Sequence, residues 1–266
     1  MTHVTRASAP RLSRITPLAF AVWVTFGAIV IVSISDVAPS FTQLAEGLPG
    51  MASLVDRMLP PNTDGAFLQR VGLRLLETFQ IALAGAAIGI ALSLPIAWLA
   101  ARGVSPLGRA SYLFKAFVSL LRTIPDLVWA LLFVATVGLG PVAGTLTIIV
   151  DTIGFCGRFF AEAIEDSEEE PQEALSAIGA GPGSILVGAI LPDAAPSMIN
   201  ASLFALEKAV RSSVVLGLVG AGGIGQELKV AFDLFQYQNA STIILLIFLI
   251  VLAMEYVTDR LRARVQ

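Results

Sequence analysis

The chain has few of the residues from which catalytic and metal sites are built. Its 266 residues include one histidine and one cysteine. The histidine, His3, lies in the N-terminal tail, which excludes a Ser-His-Asp triad or a cluster of His ligands in the body of the protein. The cysteine, Cys156, excludes a disulfide framework and any Cys-rich metal site. We therefore expect no catalytic residues, no metal site and no enzyme activity, and Cys156 is expected to be an inert packing residue.

Charge is also scarce. Charged residues make up 14% of the chain and hydrophobic residues 56%, whereas a soluble domain carries about 25% charged residues. The deficit indicates a polytopic membrane protein. The net charge of -3 argues against a nucleic-acid partner, because phosphates would need a basic face to neutralise them.

Six apolar runs have about the length that a helix needs to cross 30 Å of hydrocarbon. They predict an all-α protein with six transmembrane helices. The runs are residues 17–35, 75–101, 124–139, 142–160, 194–219 and 241–256.

The distribution of arginine and lysine predicts the orientation of these spans, because cytoplasmic loops carry the excess of basic residues. With six spans, three basic clusters fall on one side, the cytoplasm, and fewer basic residues fall outside. The clusters are Arg6, Arg11 and Arg14; Arg102, Arg109 and Lys115; and Arg260, Arg262 and Arg264. The outer basic residues are Arg57, Arg70, Arg74 and Lys229.

This orientation divides the chain into segments. Residues 1–16 and 259–266 are predicted to be cytoplasmic tails, and 17–35 an uncleaved first span rather than a signal peptide. The segment 36–70 is extracytoplasmic, either as an amphipathic helix on the membrane surface or as a docking surface for an external partner. Residues 71–258 form the transmembrane core, and the expected location is the bacterial inner membrane.

The cytoplasmic loop 162–192 begins with a run of acidic residues and continues as EALSAIGAGPG. Pro171 is a good residue for starting a helix. Gly179 and Gly181 can end that helix in a left-handed cap, and Pro182 prevents its continuation. The pattern predicts a short helix on the cytoplasmic face, which serves either as a structural connector or as a rigid projection for docking.

The same stretch resembles the cytoplasmic loop of ATP-binding-cassette importer permeases. The family pattern is Glu-Ala-Ala, three residues, Gly, nine residues, Ile, one residue, Leu-Pro. This chain departs from it at Leu175 and at Ala189. The resemblance implies that this helix docks into a groove on a separate cytoplasmic ATPase, which binds ATP and Mg. The coupling residues it implies are Glu173, Ala174, Leu175, Gly179, Leu191 and Pro192.

Four further stretches look like the permease of phosphonate importers, a family that includes phosphite and hypophosphite importers. This resemblance implies a homodimer of the permease, two ATPase subunits and an extracytoplasmic binding protein that delivers the solute, with transport by alternating access. Another small solute, or a secondary transporter or channel, stays as the alternative. The stretches are residues 77–103, 122–144, 154–166 and 209–228.

GAGGIG, residues 220–225, satisfies the dinucleotide fingerprint, yet a membrane span lies where the acidic residue of that motif belongs. We therefore expect these glycines to allow close backbone packing, or to form a non-helical turn near the outer membrane surface that is shielded from lipid. A G-x-x-x-x-G-K-[ST] loop is also missing from the sequence, so any ATPase that drives transport is a separate polypeptide.

Ionisable residues within predicted spans are costly and indicate function by default. Glu207 and Arg211 share a helix face at i, i+4 and can neutralise each other. Asp151 is a candidate partner of Arg211 or of Lys208. Arg122 is expected to extend toward the cytoplasmic interface.

The functional alternative concerns the path of the solute. Arg211, with the hydroxyls of Ser212 and Ser213 and with Asp151 nearby, is a candidate lining for a phosphorus oxyanion. A guanidinium suits bidentate contact with such an anion.

Overall fold

The computed structural model describes residues 16–37 and 41–264, and within these ranges the ordered elements are all helical, as the all-α class requires. Of the predicted tails, residues 1–15 and 265–266 lie outside the described residues. The chain divides into two units, one up to Asp56 and one from Arg57 onward.

The first unit contains α1 (Pro17–Val37) and most of α2 (Phe41–Met58). Large apolar side chains of α1 are exposed, Trp23 and Ile31 among them, as expected of a helix that is apolar on all sides. Helix α2 is amphipathic and contains Pro49. Residues 41–58 of the segment 36–70 are thus helical.

The second unit is a helical bundle, in which a 3-10 turn, Gly108–Ala110, precedes α4, and a π-helical turn, Leu186–Ile190, joins α8 to α9. Its helices are α3 (Gly65–Ala100), α4 (Ser111–Thr123), α5 (Asp126–Val137), α6 (Pro141–Glu165), α7 (Glu169–Ala177), α8 (Pro182–Ile185), α9 (Leu191–Gly217), α10 (Ile224–Asp233) and α11 (Tyr237–Arg262).

Among the residues described, five segments are long and apolar enough to cross a membrane, and a sixth span results if a bent pair of helices counts as one. The five are Pro17–Asp36, Gly65–Ala100, Pro141–Glu165, Pro182–Gly217 and Tyr237–Arg262.

The predicted third span, 124–139, differs from the structure in its form. Helix α5 has 12 residues, about 18 Å of length, which is too short to cross hydrocarbon of about 30 Å. It forms a span only together with α4, from which it is bent by 87°. Pro125 lies at the break, and Ile124 before it has extended backbone, because proline restricts the preceding residue to that region.

Helices α3 and α6 pack at close range along two glycines. A Cβ atom at Gly85 would lie 2.7 Å from Ile148 Cβ, and one at Gly89 would lie 2.5 Å from Thr152 Cβ. Small residues spaced by four let membrane helices approach closely. Because the paired residue numbers rise together, α3 and α6 run parallel.

Helix α9 runs antiparallel to α6. Lys208 of α9 contacts Asp151 of α6, and Phe204 stacks on Phe155 with 5.4 Å between ring centroids. The polar end of the bundle near Glu165 and the start of α9 therefore lie together, which positions α7 between them.

Candidate functional site

Helix α7 is the short helix that the sequence predicts, and it begins at Glu169, two residues before Pro171. Glu169 and Glu170 occupy its first turn, where negative charge stabilises the helix dipole. At its end the Gly179 amide donates to the Ser176 carbonyl at 2.9 Å, and Gly179 has φ +83°.

Only one of the two predicted glycine caps is used. Gly181 has φ -75°, so it is not left-handed, and Pro182 occupies the first turn of α8. The proline that was predicted to prevent continuation of α7 therefore starts the next helix.

The exposed face of α7 carries Glu173 and Ala174, and Ile178, the residue that follows the helix, is 80% exposed. Leu175 is half-buried and packs beside Gly188 of the π-helical turn. Farther along, Leu191 is half-buried and Pro192 exposed in the first turn of α9. The residues that the resemblance singled out are thus divided between an exposed surface and a packed inner face.

A depression of about 370 Å³ lies between α7, α8 and the loop after α3. Glu173 and Ser176 line it from α7, and Val104 and Pro106 line it from the loop. Part of the depression is apolar, so α7 offers both a projecting surface and an adjoining hollow.

Hydrogen bonds fix α7 to the membrane helices on both sides. The Glu168 amide donates to Asp193 Oδ2 at 2.9 Å, and Gln172 Nε2 donates to Ser167 Oγ at 3.0 Å. Glu165 at the end of α6 accepts from the Arg102 amide at 2.8 Å and from Lys115 Nζ at 3.0 Å. The start of α7 is thus bonded to α9 through Asp193, and the end of α6 is bonded to α4 and to the loop after α3.

A second polar group lies among the membrane helices. Lys208 Nζ donates to both carboxylate oxygens of Asp151 at 2.8 Å, so of the two partners predicted for Asp151 the structure has Lys208. Lys208 Nζ also lies 5.5 Å from the centroid of the Phe155 ring. The pair joins α6 to α9.

Glu207 accepts from two arginines. Arg211 Nη2 donates to Glu207 Oε1 at 2.9 Å, as predicted for the i, i+4 pair, and Arg262 Nη2 donates to Glu207 Oε2 at 3.0 Å. The Glu207 side chain is 12% exposed and that of Arg211 58% exposed. Arg211 therefore keeps more than half of its side chain accessible although it has a partner.

The two serines next to Arg211 have different surroundings. Ser212 Oγ donates to Asp126 Oδ2 at 2.9 Å. Ser213 is buried, and its hydroxyl donates to the Val210 carbonyl at 2.9 Å. Of the predicted lining, Ser212 thus lies beside a carboxylate that the sequence did not single out, and the Ser213 hydroxyl is occupied by backbone.

The glycine run after α9 forms a turn that two side chains of α3 hold. Gly220, Gly222 and Gly223 all have positive φ. The Ile224 amide donates to Thr78 Oγ1 at 2.7 Å, and the Gly223 amide donates to Glu77 Oε1 at 3.3 Å. The turn follows a helix rather than a strand, which agrees with the exclusion of a dinucleotide fold.

Two links were missed from the sequence. Arg262 was assigned to the C-terminal tail, and Glu165 to the acidic run that begins the cytoplasmic loop. Neither contact has a local sequence signal, because each joins residues at least 50 positions apart.

In the described ranges we find no group of three or more His, Cys, Asp or Glu side chains arranged to hold a metal ion.

Comparison with known proteins gives a consistent result. The family described as binding-protein-dependent transport system inner membrane component matches residues 93–266. The chain is 37% identical over 222 residues to the phosphite transport system permease protein PtxC of Stutzerimonas stutzeri, covering 83% of this chain and 80% of that protein. It is 38% identical over 212 residues to the phosphate-import permease protein PhnE of Mycolicibacterium smegmatis, covering 78% of this chain and 39% of that protein.

Among solved structures, the chain is similar to the inward-facing MetNI methionine ABC transporter. The sequence identity is 26% and the TM-score 0.67, covering 77% of this chain and 100% of that chain. The likeness confirms the predicted helical bundle of an importer permease.

Proposed function

Because the chain belongs to the family of binding-protein-dependent transport system inner membrane components, we propose that it is the transmembrane subunit of an ATP-driven importer for a small phosphorus oxyanion of the phosphonate or phosphite class. An extracytoplasmic binding protein delivers the anion to it. The similarity to permeases of phosphite and phosphate transport supports this choice of solute.

Energy for transport comes from a separate ATPase that contacts α7. The observation that carries this step is the form of α7: an exposed surface with Glu173, Ala174 and Ile178, capped at Gly179 and hydrogen-bonded at its base to Asp193. Closure of two ATPase subunits on ATP moves α7 and, through it, α6 and α9. The bundle then alternates between outward and inward access.

Two copies of the chain enclose the path, with both termini in the cytoplasm. The basic clusters on the cytoplasmic side support the orientation. The resemblance to importer permeases implies the dimer, in which each chain supplies half of the pathway. The described part of one chain contains five or six candidate spans.

The test is co-purification of the chain with its nucleotide-binding subunit. We expect the wild-type chain to retain the subunit and a chain with a scrambled Glu173–Gly179 segment to lose it while remaining in the membrane. A complex that is unaffected by scrambling would contradict the role of α7. Uptake that persists without any ATPase would support a secondary transporter or channel instead.

Within the membrane, Arg211 is the proposed contact of the anion, since its side chain is 58% exposed although it pairs with Glu207. Arg211→Gln should reduce uptake, with assembly and basal ATPase activity preserved. Arg262→Gln is the matched control, because it removes the other arginine partner of Glu207. If the two variants behave alike, Arg211 has a structural role only.

A different small solute is the second candidate, favoured by the likeness to a methionine transporter. Stimulation of ATPase activity separates the two. In the reconstituted complex with its binding protein, phosphite or a phosphonate should stimulate hydrolysis and methionine should not.

A further inference from the structure

A depression of about 260 Å³ lies between α4 and α6. Ser119, Arg122 and Thr123 of α4 and Arg158 of α6 line it. The lining therefore consists of two guanidinium groups and two hydroxyl side chains, without a carboxylate.

Both arginines have unused donors. Arg122 forms no hydrogen bond or ion pair within residues 16–37 and 41–264, whereas Arg74, Arg211 and Arg262 each pair with a carboxylate. Arg158 pairs with Glu162 through Nε at 2.7 Å, and its terminal amino groups have no partner in the described part of the chain. The depression thus presents an excess of positively charged donors.

The packing of α4 on α6 brings the side chains of Arg122 and Arg158 to the same depression. The Arg122 side chain lies against Gly154, where a Cβ atom would be 3.0 Å from Arg122 Cγ. Gly154 and Arg158 are four residues apart, so they lie on the same face of α6. Ser119 and Arg122 are three residues apart and share a face of α4 for the same reason.

The position of the depression along the axis of the bundle follows from its residues on α6. Gly154 lies 11 residues before Glu165, the last residue of α6, which is about 16 Å along the helix. Arg158 lies nearer that end, where Lys115 and Glu165 pair at 3.0 Å. The depression therefore opens in the half of the bundle that contains α7.

We propose that Arg122 and Arg158 together bind a tetrahedral phosphorus oxyanion, either a free anion or the phosphate group of an anionic lipid. Two guanidinium forks and the Ser119 hydroxyl match the oxygens of such a group. Basic pockets between membrane helices on the cytoplasmic side are suited to lipid headgroups, and a free anion leaving the bundle would present the same oxygens. The free-anion form of the inference rests on the solute proposed above, whereas the lipid form does not.

The experiment uses the full chain in lipid nanodiscs, without the ATPase subunits, whose nucleotide sites would bind phosphate. One arm measures binding of inorganic phosphate and of phosphite in neutral phosphatidylcholine nanodiscs. The other arm counts the phosphatidylglycerol molecules that the chain retains from mixed nanodiscs, by native mass spectrometry. Wild type is compared with Arg122→Gln, Arg158→Gln and the control Arg109→Gln, which removes an exposed charge outside the depression.

We expect Arg122→Gln and Arg158→Gln each to weaken one of the two kinds of binding by about tenfold or more, because hydrogen bonds to charged groups are strong. Arg109→Gln should change neither. Loss in the first arm identifies a free anion, and loss in the second identifies a lipid. Arg122→Lys and Arg158→Lys keep the positive charge but lose the planar guanidinium. Their affinities should lie between those of wild type and of the glutamine variants, which shows that the loss in the glutamine variants is not a failure to fold. Wild type that binds in neither arm, or a control as damaging as the two variants, would overturn the proposal.

Discussion

The cap of α7 gives the sharpest test of how the helix works. Gly179 has φ +83°, and a Cβ atom there would meet no neighbour within 4 Å. Gly179→Ala therefore adds backbone strain without a steric clash. An L-residue in the left-handed region costs about 1–2 kcal/mol, and the free variant escapes this cost by unwinding the last turn of α7.

In the complex proposed above, the ATPase docks on the capped form of α7, so this cost would be restored when the complex forms. An energy of about 1–2 kcal/mol corresponds to about a five- to thirtyfold weaker affinity of the ATPase subunit for the variant. The assay is binding of the purified ATPase subunit to the full chain in nanodiscs, followed by ATPase activity of the complex.

Gly181→Ala is the matched control. Gly181 also has open space around its Cα, but its φ is -75°, which any residue adopts. The Gly181→Ala variant should bind the ATPase subunit like wild type. Gly179→Asn should bind more tightly than Gly179→Ala, because asparagine tolerates the left-handed region. Equal affinities of Gly179→Ala and wild type, or equal damage from both alanine variants, would refute the reasoning.

Three further predictions concern the stability of the bundle and are measured by thermal unfolding of the purified chain. Gly89→Ala should destabilise it by about 1–3 kcal/mol through overpacking against Thr152, whereas Gly72→Ala, which meets open space, should not; equal shifts would contradict the α3–α6 contact. Thr78→Val leaves the Ile224 amide unpaired and should lower the free energy of unfolding by about 1–3 kcal/mol. Thr78→Ser keeps the acceptor and should lower it less. A valine variant as stable as the serine variant would show that this hydrogen bond does not hold the turn. Lys208→Met leaves Asp151 without its partner and should cost about 1–3 kcal/mol; adding Asp151→Asn should restore part of it, and no restoration would mean that the pair is not coupled.

Much of the bundle could be predicted from the sequence because hydrophobic length and basic clusters act locally. The spans of α6 and α11 and the short α7 were found in this way, and the Gly179 cap followed from glycine and proline chemistry. The i, i+4 pair of Glu207 and Arg211 was also predictable, since helix geometry alone brings the two together.

Other features depend on tertiary packing. The bend of 87° between α4 and α5 could be suspected from Pro125, yet its angle is set by how both helices pack on α6. Ser213 was grouped with Arg211 because they are neighbours in sequence, although the helix turns its hydroxyl into the interior. The Arg262–Glu207 contact needs α11 beside α9, and a single sequence gives no sign of that pairing.

The central claim is that ATP hydrolysis by a separate subunit drives a phosphorus oxyanion through this bundle by way of α7. The most direct measurement is uptake of labelled phosphite into proteoliposomes that contain the chain and its ATPase subunit, with the binding protein added outside and ATP enclosed. The account predicts uptake that requires ATP and all three proteins and that falls in Gly179→Ala but not in Gly181→Ala. Uptake of equal rate without ATP or without the ATPase subunit would contradict it.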